Sequence, residues 1–172
     1  GEIDLNGLPP NWRSAHIIHL APVAQEIDVR TAGRLSPDYY GLTPQGLMRS
    51  WRPNRDGRVN LMPLRLPFEF LGRIDGMVLS SEEQSLARDE IGVVGSRALV
   101  AVTRGASGVQ LHDRGQQLQI PAFDVQPADD TGAGDVFAAA LFILRFERNG
   151  TQPAARQAAA AASILIQRGG PD

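Results

Sequence analysis

Hydrophobic positions along the chain fall into two spacings. Short apolar runs rich in β-branched residues, AHIIHLA (15–21), DGMVLSS (75–81) and RALVAVT (97–103), read as buried strands. Apolar residues recur at helical intervals in VAQEIDVRTAGR (23–34) and in SEEQSLARDEIGVV (81–94), the latter with acids in its first turn. LRLPFEFLGRI (64–74) holds a short helix after Pro67. GVQLHDR (108–114) and QQLQIPA (116–122) are hairpin strands, and YYGLTPQG (39–46) and RPNRDGRVN (52–60) supply turn chemistry around a further strand or two. Two helices close the chain, about 133–148 and 152–168, separated by Asn149-Gly150 and started by Thr151 and Pro153. Strands alternating with helices predict an α/β layered fold with a mostly parallel sheet flanked by helices. It is expected as one domain over 1–172, with 1–13 an irregular lead-in.

Composition narrows the chemistry. With 172 residues, 42% of them hydrophobic, the chain is long enough for one domain with a real core. Cysteine is absent, which excludes disulfides and thiolate metal sites; with no signal peptide visible, a cytoplasmic location is expected. All 17 basic residues are Arg, so a Walker-type lysine, a Schiff-base lysine and a protein-kinase strand lysine are excluded. A net charge of -2 argues against a nucleic-acid partner, and no apolar run reaches membrane-spanning length. His16 and His19, three apart on a strand, face opposite sides and are read as core or edge residues, not a shared metal site. Trp12 and Trp51 are read as packing anchors.

Ligands of layered α/β folds gather where strand carboxyl ends pass into loops entering helices. Three loops hold that position: LSSEE (79–83), TRGASG (103–108) and DDTGAGD (129–135). Two readings of the third stand side by side. Asp and Thr cap helices and Gly permits unusual backbone geometry, so on one reading it is simply the capped start of a helix. Alternatively, Gly132 and Gly134 bare the amides near Ala133, Gly134 and Asp135, which converge on an oxygen of a transferring phosphoryl group. Asp135 then lies beside that oxygen to orient an alcohol and receive its proton.

DTGAGDVF (130–137) closely resembles the C-terminal signature of the ribokinase-like (PfkB) family of carbohydrate and nucleoside kinases. VTRGASGV (102–109) is similar to that family's strand and turn beside the nucleotide phosphates, and the resemblance runs from about Ser14 to Asp172. It implies ATP-dependent phosphoryl transfer to an alcohol of a sugar or nucleoside, with Mg2+. By position, Asp135 is implied as the base and Gly132, Ala133 and Gly134 as the anion hole. Thr103, Gly105 and Gly108 are implied at the ATP phosphates or ribose, with Arg104 a nearby cation. Ala160 and Ser163 match helices that flank the adenine, although small residues at helical spacing equally describe tight packing. The family's Asn-x-x-Glu magnesium motif aligns with Ser80-Ser81-Glu82-Glu83, which leaves Glu83 as a metal candidate and Ser80 where the Asn stands. The other reading of Glu83 is a solvated first-turn acid. Asp129 and Thr131 resemble positions that hold a monovalent cation in some relatives, and helix capping explains them as well.

Members of the family run considerably longer, and the first βα units, most sugar-binding residues and a small β lid are not recognisable in this chain, which begins at Gly1 without Met. A partial domain is therefore expected, whose uncovered sheet edge favours self-association or a homodimer. Ser80 and the short length favour a second reading, a catalytically impaired nucleotide-binding or sensing module; the intact GAGD favours the kinase.

Overall fold

Successive residues of the central strands enter two different cores, as a sheet covered on both faces requires. The computed structural model describes residues 1–51 and 59–167. Its strands are β1 (Ile17–Leu20), β2 (Tyr39–Leu42), β3 (Arg49–Trp51), β4 (Val59–Leu61), β5 (Gly76–Ser80), β6 (Leu99–Thr103), β7 (Val109–Asp113) and β8 (Gln116–Ile120). The α-helices are α1 (Pro10–Arg13), α2 (Val29–Ala32), α3 (Phe68–Leu71), α4 (Ser81–Gln84), α5 (Arg88–Gly95), α6 (Ala133–Phe146) and α7 (Thr151–Gln167). Six strands form one sheet in the order β1-β2-β5-β6-β7-β8, and β3 and β4 pair separately. The first four of the six run parallel, and β7 and β8 add an antiparallel hairpin to β6. The mostly parallel layered architecture expected of the sequence is therefore the one observed.

Met77, Leu79, Val100 and Val102 face a core completed by Phe70 and Leu71 of α3 and Ile91 and Val94 of α5. Val78, Leu99 and Ala101 face the opposite core, where α6 and α7 contribute Leu141, Phe142, Ala155 and Ala158. On that face Gly41 of β2 stands directly across from Gly76 of β5, and His19 of β1 stands across from Gly41. The two glycines leave a hollow that the Phe142 ring fills. A Cβ added at Gly41 would come within 2.6 Å of the ring, and one at Gly76 within 2.7 Å. His19 closes the side of the hollow, its ring edge-on to Phe142 at 4.9 Å between centroids and its Nε2 2.8 Å from the Thr43 hydroxyl.

Several local expectations change. The helix read over 23–34 is reduced to α2, because acidic side chains bond the backbone in its place. Glu26 accepts from the amides of Val23 and Ala24, Asp28 caps α2 through the amides of Arg30 and Thr31, and Gln25 has a positive φ of 58°. The helix read over 81–94 is two helices, α4 and α5, broken at Ser85–Ala87, where the Leu86 carbonyl accepts from the Leu64 amide. Trp12 is no packing anchor, since it is 61% exposed; the side chain of Trp51 and the turn at 52–58 lie outside the described residues. His16 precedes β1 and pairs on the surface with Asp38 at 2.6 Å, so the two histidines do separate as expected. Among the described residues, no helix is long and apolar enough to cross a membrane.

Replacing Gly76 with Ala should lower stability by about 1–3 kcal/mol, because the packed ring and the Tyr39 hydroxyl beside it must move. Gly92→Ala is the control: its Cβ meets nothing within 4 Å in α5, so it should gain about 0.5–1 kcal/mol. Urea denaturation of the pair tests the seat, and equal midpoints would contradict it. A pH dependence follows as well. Burial pushes His19 below the ordinary imidazole value of 6.5, partly offset by the charge of Asp135. His112 is lowered by burial and by Arg104. Both rings take up a proton less readily folded than unfolded, so their contribution is intact above 6.5 and is lost as pH falls below it. The urea midpoint should drop between about pH 7.5 and about pH 5.5, and less so in His19→Gln; a midpoint that rises on acidification would refute the assignment.

Candidate functional site

The site forms where β6 ends and α6 begins. Thr103, the last residue of β6, is followed by a single 3-10 turn, Gly105–Ser107, and by Gly108 at φ 83° before β7 departs. The Arg104 amide donates to the Gly108 carbonyl at 2.8 Å, closing the turn. The start of α6 stands opposite. Gly132 is its N-cap, in the left-handed region at φ 79°, and among the described residues no side chain caps the helix. The capping roles considered for Asp129 and Thr131 are therefore not what holds this helix start. Asp129 instead accepts from the Thr131 amide at 2.9 Å, and bonds from the Thr131 hydroxyl and amide hold its carboxyl below the usual range.

A cleft of about 370 Å³ opens between these two turns. Thr103, Gly105, Gly108, Ala133, Gly134 and Ser163 all line it, so six of the positions singled out in the sequence converge from three separated segments. The glycines are glycines for different reasons. A Cβ at Gly108 would collide with the Ile120 carbonyl and approach the Ala122 amide at 2.8 Å, so the fold itself demands it. Gly134 has a helical backbone and a Cβ there would meet nothing within 4 Å, although Ala is the better helix former. Its missing side chain leaves space in the cleft and relieves no clash within the protein.

The helix start is a partial anion hole. The Ala133 amide is already engaged, donating to the Asp130 carbonyl at 3.1 Å, and the Val136 amide donates to Gly132 at 3.0 Å. The amides of Gly134 and Asp135 carry no backbone partner among the described residues and are the donors available at the positive end of the helix dipole. Asp135 lies in the first turn of α6 with an exposed side chain, outside the cleft wall and close enough to bias the charge of His19. Gly132 ends the loop just before the wall.

Other expected residues sit elsewhere. Arg104 turns away from the cleft, its guanidinium bonding the side-chain carbonyls of Gln84, at 3.2 Å, and of Gln110. Ala160 is not part of the wall; Ala159, Ala162, Ser163 and Ile166, one stripe of α7, are. Ser163 donates its hydroxyl to the Ala159 carbonyl at 2.8 Å. Glu83 is 4% exposed, so it is not a solvated first-turn acid. It closes a capping box on α4, accepting from the Ser80 amide at 2.8 Å while the Ser80 hydroxyl accepts from the Glu83 amide at 3.4 Å. Among the described residues no cluster of three metal-ligating side chains forms.

Sequence reading missed the wall built by the segment between β8 and α6. Phe123, Val125 and Pro127 line the cleft, with Asp130 beyond them. Their alternate spacing in an extended stretch was the available signal. His19 was likewise read as an ordinary strand residue, although β1 carries it to the neighbourhood of Asp135.

Residues 72–172 match the model of the pfkB family carbohydrate kinases. A ribokinase of Bacillus subtilis is 38% identical over 69 residues, which are 40% of this chain and 24% of that protein. A pyrophosphate-dependent kinase of the ribokinase family superposes with a TM-score of 0.75 at 20% identity, over 92% of this chain and 59% of its own. The ribokinase of Arabidopsis thaliana, complexed with ribose and ATP, superposes with a TM-score of 0.63 at 24% identity, over 90% of this chain and 51% of its own. The chain thus spans about a quarter of the curated relative and between 51% and 59% of these structures. At these identities the superpositions bear on the fold, while the family match takes in more than half of the chain and both glycine turns. The chain belongs to the pfkB family of carbohydrate kinases.

Proposed function

We propose that the protein acts in the transfer of the γ-phosphoryl group of ATP to an alcohol of a sugar or nucleoside, with the cleft between the two glycine turns as the donor site. The observation that carries this reading is the meeting of the Gly105–Gly108 turn and the bare start of α6 around one cleft. Its volume of about 370 Å³ suits a small-molecule ligand.

In this reading the acceptor oxygen bonds to the γ-phosphorus as the bond to the β–γ bridging oxygen breaks. The electron pair leaves with ADP, and the acceptor's proton passes to the Asp135 carboxylate. A carboxylate suffices because the hydroxyl acidifies late in a loose transition state, so Asp135 chiefly orients it and receives the proton. The amides of Gly134 and Asp135 face the charge on the transferring group. Magnesium, if bound with the nucleotide, would supply neutralisation of the phosphate charge. Glu83 is a capping carboxylate outside the cleft wall, so phosphates and water would supply most of the metal's ligands.

A second reading, a nucleotide-binding or sensing module without transfer, is favoured by one feature: the side chains of Ser80 and Glu83 are spent on capping α4.

Two substitutions test the site, and acceptor-dependent turnover separates the two readings. Asp135→Asn should lower sugar- or nucleoside-dependent ADP release at least about 100-fold while calorimetric ATP affinity stays within about twofold. Near-normal turnover would remove Asp135 from the chemistry. Gly134→Ala should leave the thermal midpoint equal or higher and yet weaken ATP binding, since its methyl enters open space in the cleft. Tight ATP binding with no acceptor-dependent turnover across a panel of sugars and nucleosides would favour the sensing module.

A further inference from the structure

His19 and Thr43 stand side by side where the first two parallel strands end. His19 is the penultimate residue of β1, Thr43 follows β2, and the Thr43 amide donates to the Leu20 carbonyl at 2.8 Å. Gly41, across from His19, leaves its ring room, and the Phe142 ring meets it edge-on. With Nε2 2.8 Å from the Thr43 hydroxyl, the half-buried imidazole is held on two sides. Its Nδ1 makes no hydrogen bond among the described residues. α6 packs on β1, and Asp135 lies seven residues, about 10 Å of helix, before Phe142 on the same face. The exposed carboxylate therefore stands over the strand end that carries His19. Few charges surround the ring. β2 presents Gly41 and Thr43, α6 presents Phe142 and Asp135, and among the described residues Asp135 is the one charge that acts on it. Arg145 of α6 acts on Tyr39 at the other end of the strands, and His16 turns to Asp38. Burial disfavours the imidazolium of His19, and the Asp135 charge favours it.

We propose that His19 is a positioning residue for phosphoryl transfer: as the neutral imidazole it leaves the Asp135 carboxylate free for the acceptor, and as the imidazolium it draws that carboxylate to itself and stops transfer. The inference rests on the reading of Asp135 as the group that receives the acceptor's proton. His19 itself exchanges no proton with the acceptor. In the neutral ring Nε2 donates to Thr43 and Nδ1 keeps its lone pair, which takes up a proton on acidification. The imidazolium then opposes the step twice. It offers the carboxylate a charge-assisted partner in competition with the acceptor hydroxyl, and its field lowers the carboxylate's proton affinity just where the proton must arrive. Transfer thereby acquires an acid limit set by a residue that touches neither the nucleotide nor the reacting atoms.

Proton NMR titration of the three histidine rings, each assigned by substitution, and the pH dependence of acceptor-dependent ADP release test this. In Asp135→Asn the His19 midpoint should fall by at least about 0.3 pH units, because a favourable charge is gone. In the wild type kcat should halve within about 0.5 pH units of the His19 midpoint, while the KM for ATP changes less than about twofold. In His19→Gln, whose amide still reaches Thr43, that acid limb should move down by at least about one pH unit. Circular dichroism verifies folding at each pH. An unmoved His19 midpoint in folded Asp135→Asn overturns the pairing without recourse to turnover. An acid limb unchanged in folded His19→Gln, or turnover that rises as His19 protonates, overturns the positioning role. Should His19→Gln fail to fold, a wild-type limb that departs from the His19 midpoint does the same. Coupled midpoints in a protein that releases no ADP with any sugar or nucleoside would leave the pairing standing and remove the transfer reading, and the positioning role with it.

Discussion

The Phe142 ring in the hollow over Gly41 and Gly76 sets the geometry on which the rest of the site depends. A helix rests on a sheet at a distance fixed by the side chains between them, and here two facing glycines let an aromatic ring drop onto the strand backbones. Burying that ring contributes about 2–3 kcal/mol, and it also fixes the height and rotation of α6. Asp135 precedes Phe142 by seven residues, two helical turns, so the two share one face of the helix. The buried ring therefore aims the first-turn carboxylate at the ends of β1 and β2, near His19, and leaves the adjoining amides facing the cleft.

The cleft is assembled from backbone more than from charge. Arg104, the cation nearest in sequence to the first turn, is held by Gln84 and Gln110, and Arg156 lies on Phe123. What remains for an anion is the pair of amides at the α6 start, reinforced by the helix dipole. Such donors are fixed before a ligand arrives and cost no reorganisation when charge develops, which suits a transferring phosphoryl group. The same economy explains the two kinds of glycine. Gly108 is required by the passage of Ile120 beside it, whereas Gly134 leaves room that no protein atom uses.

Capping chemistry governs the surrounding loops. Glu26 and Asp28 spend their carboxylates on nearby amides and shorten a helix whose apolar spacing alone would extend it. Ser80 and Glu83 do the same for α4, directly after β5. Short acidic side chains beside free amides choose local bonds over continued helix, so hydrophobic period overestimates helix length wherever they cluster.

The order of strands and helices, the parallel sheet, the closing helix pair and the two glycine turns were legible in the sequence, because each is written in a local period or a local backbone requirement. RALVAVT could be little but a buried strand, and Asn149-Gly150 little but a break. Distance along the chain hid the rest. Nothing local tells Phe123 that α7 will bring Arg156 over its ring, or distinguishes Ala159 and Ala162 from Ala160 within an alanine run before the packing of α6 fixes the helix's rotation. Nor can the loop DDTGAGD reveal that the Ala133 amide is consumed by Asp130 while that of Gly134 stays free. The sequence by itself determined which elements form and where the backbone bends. Only the tertiary structure decided which side chains share the cleft, because that depends on how closely α6 approaches the sheet, and the approach is set by a ring and two glycines far apart in the chain.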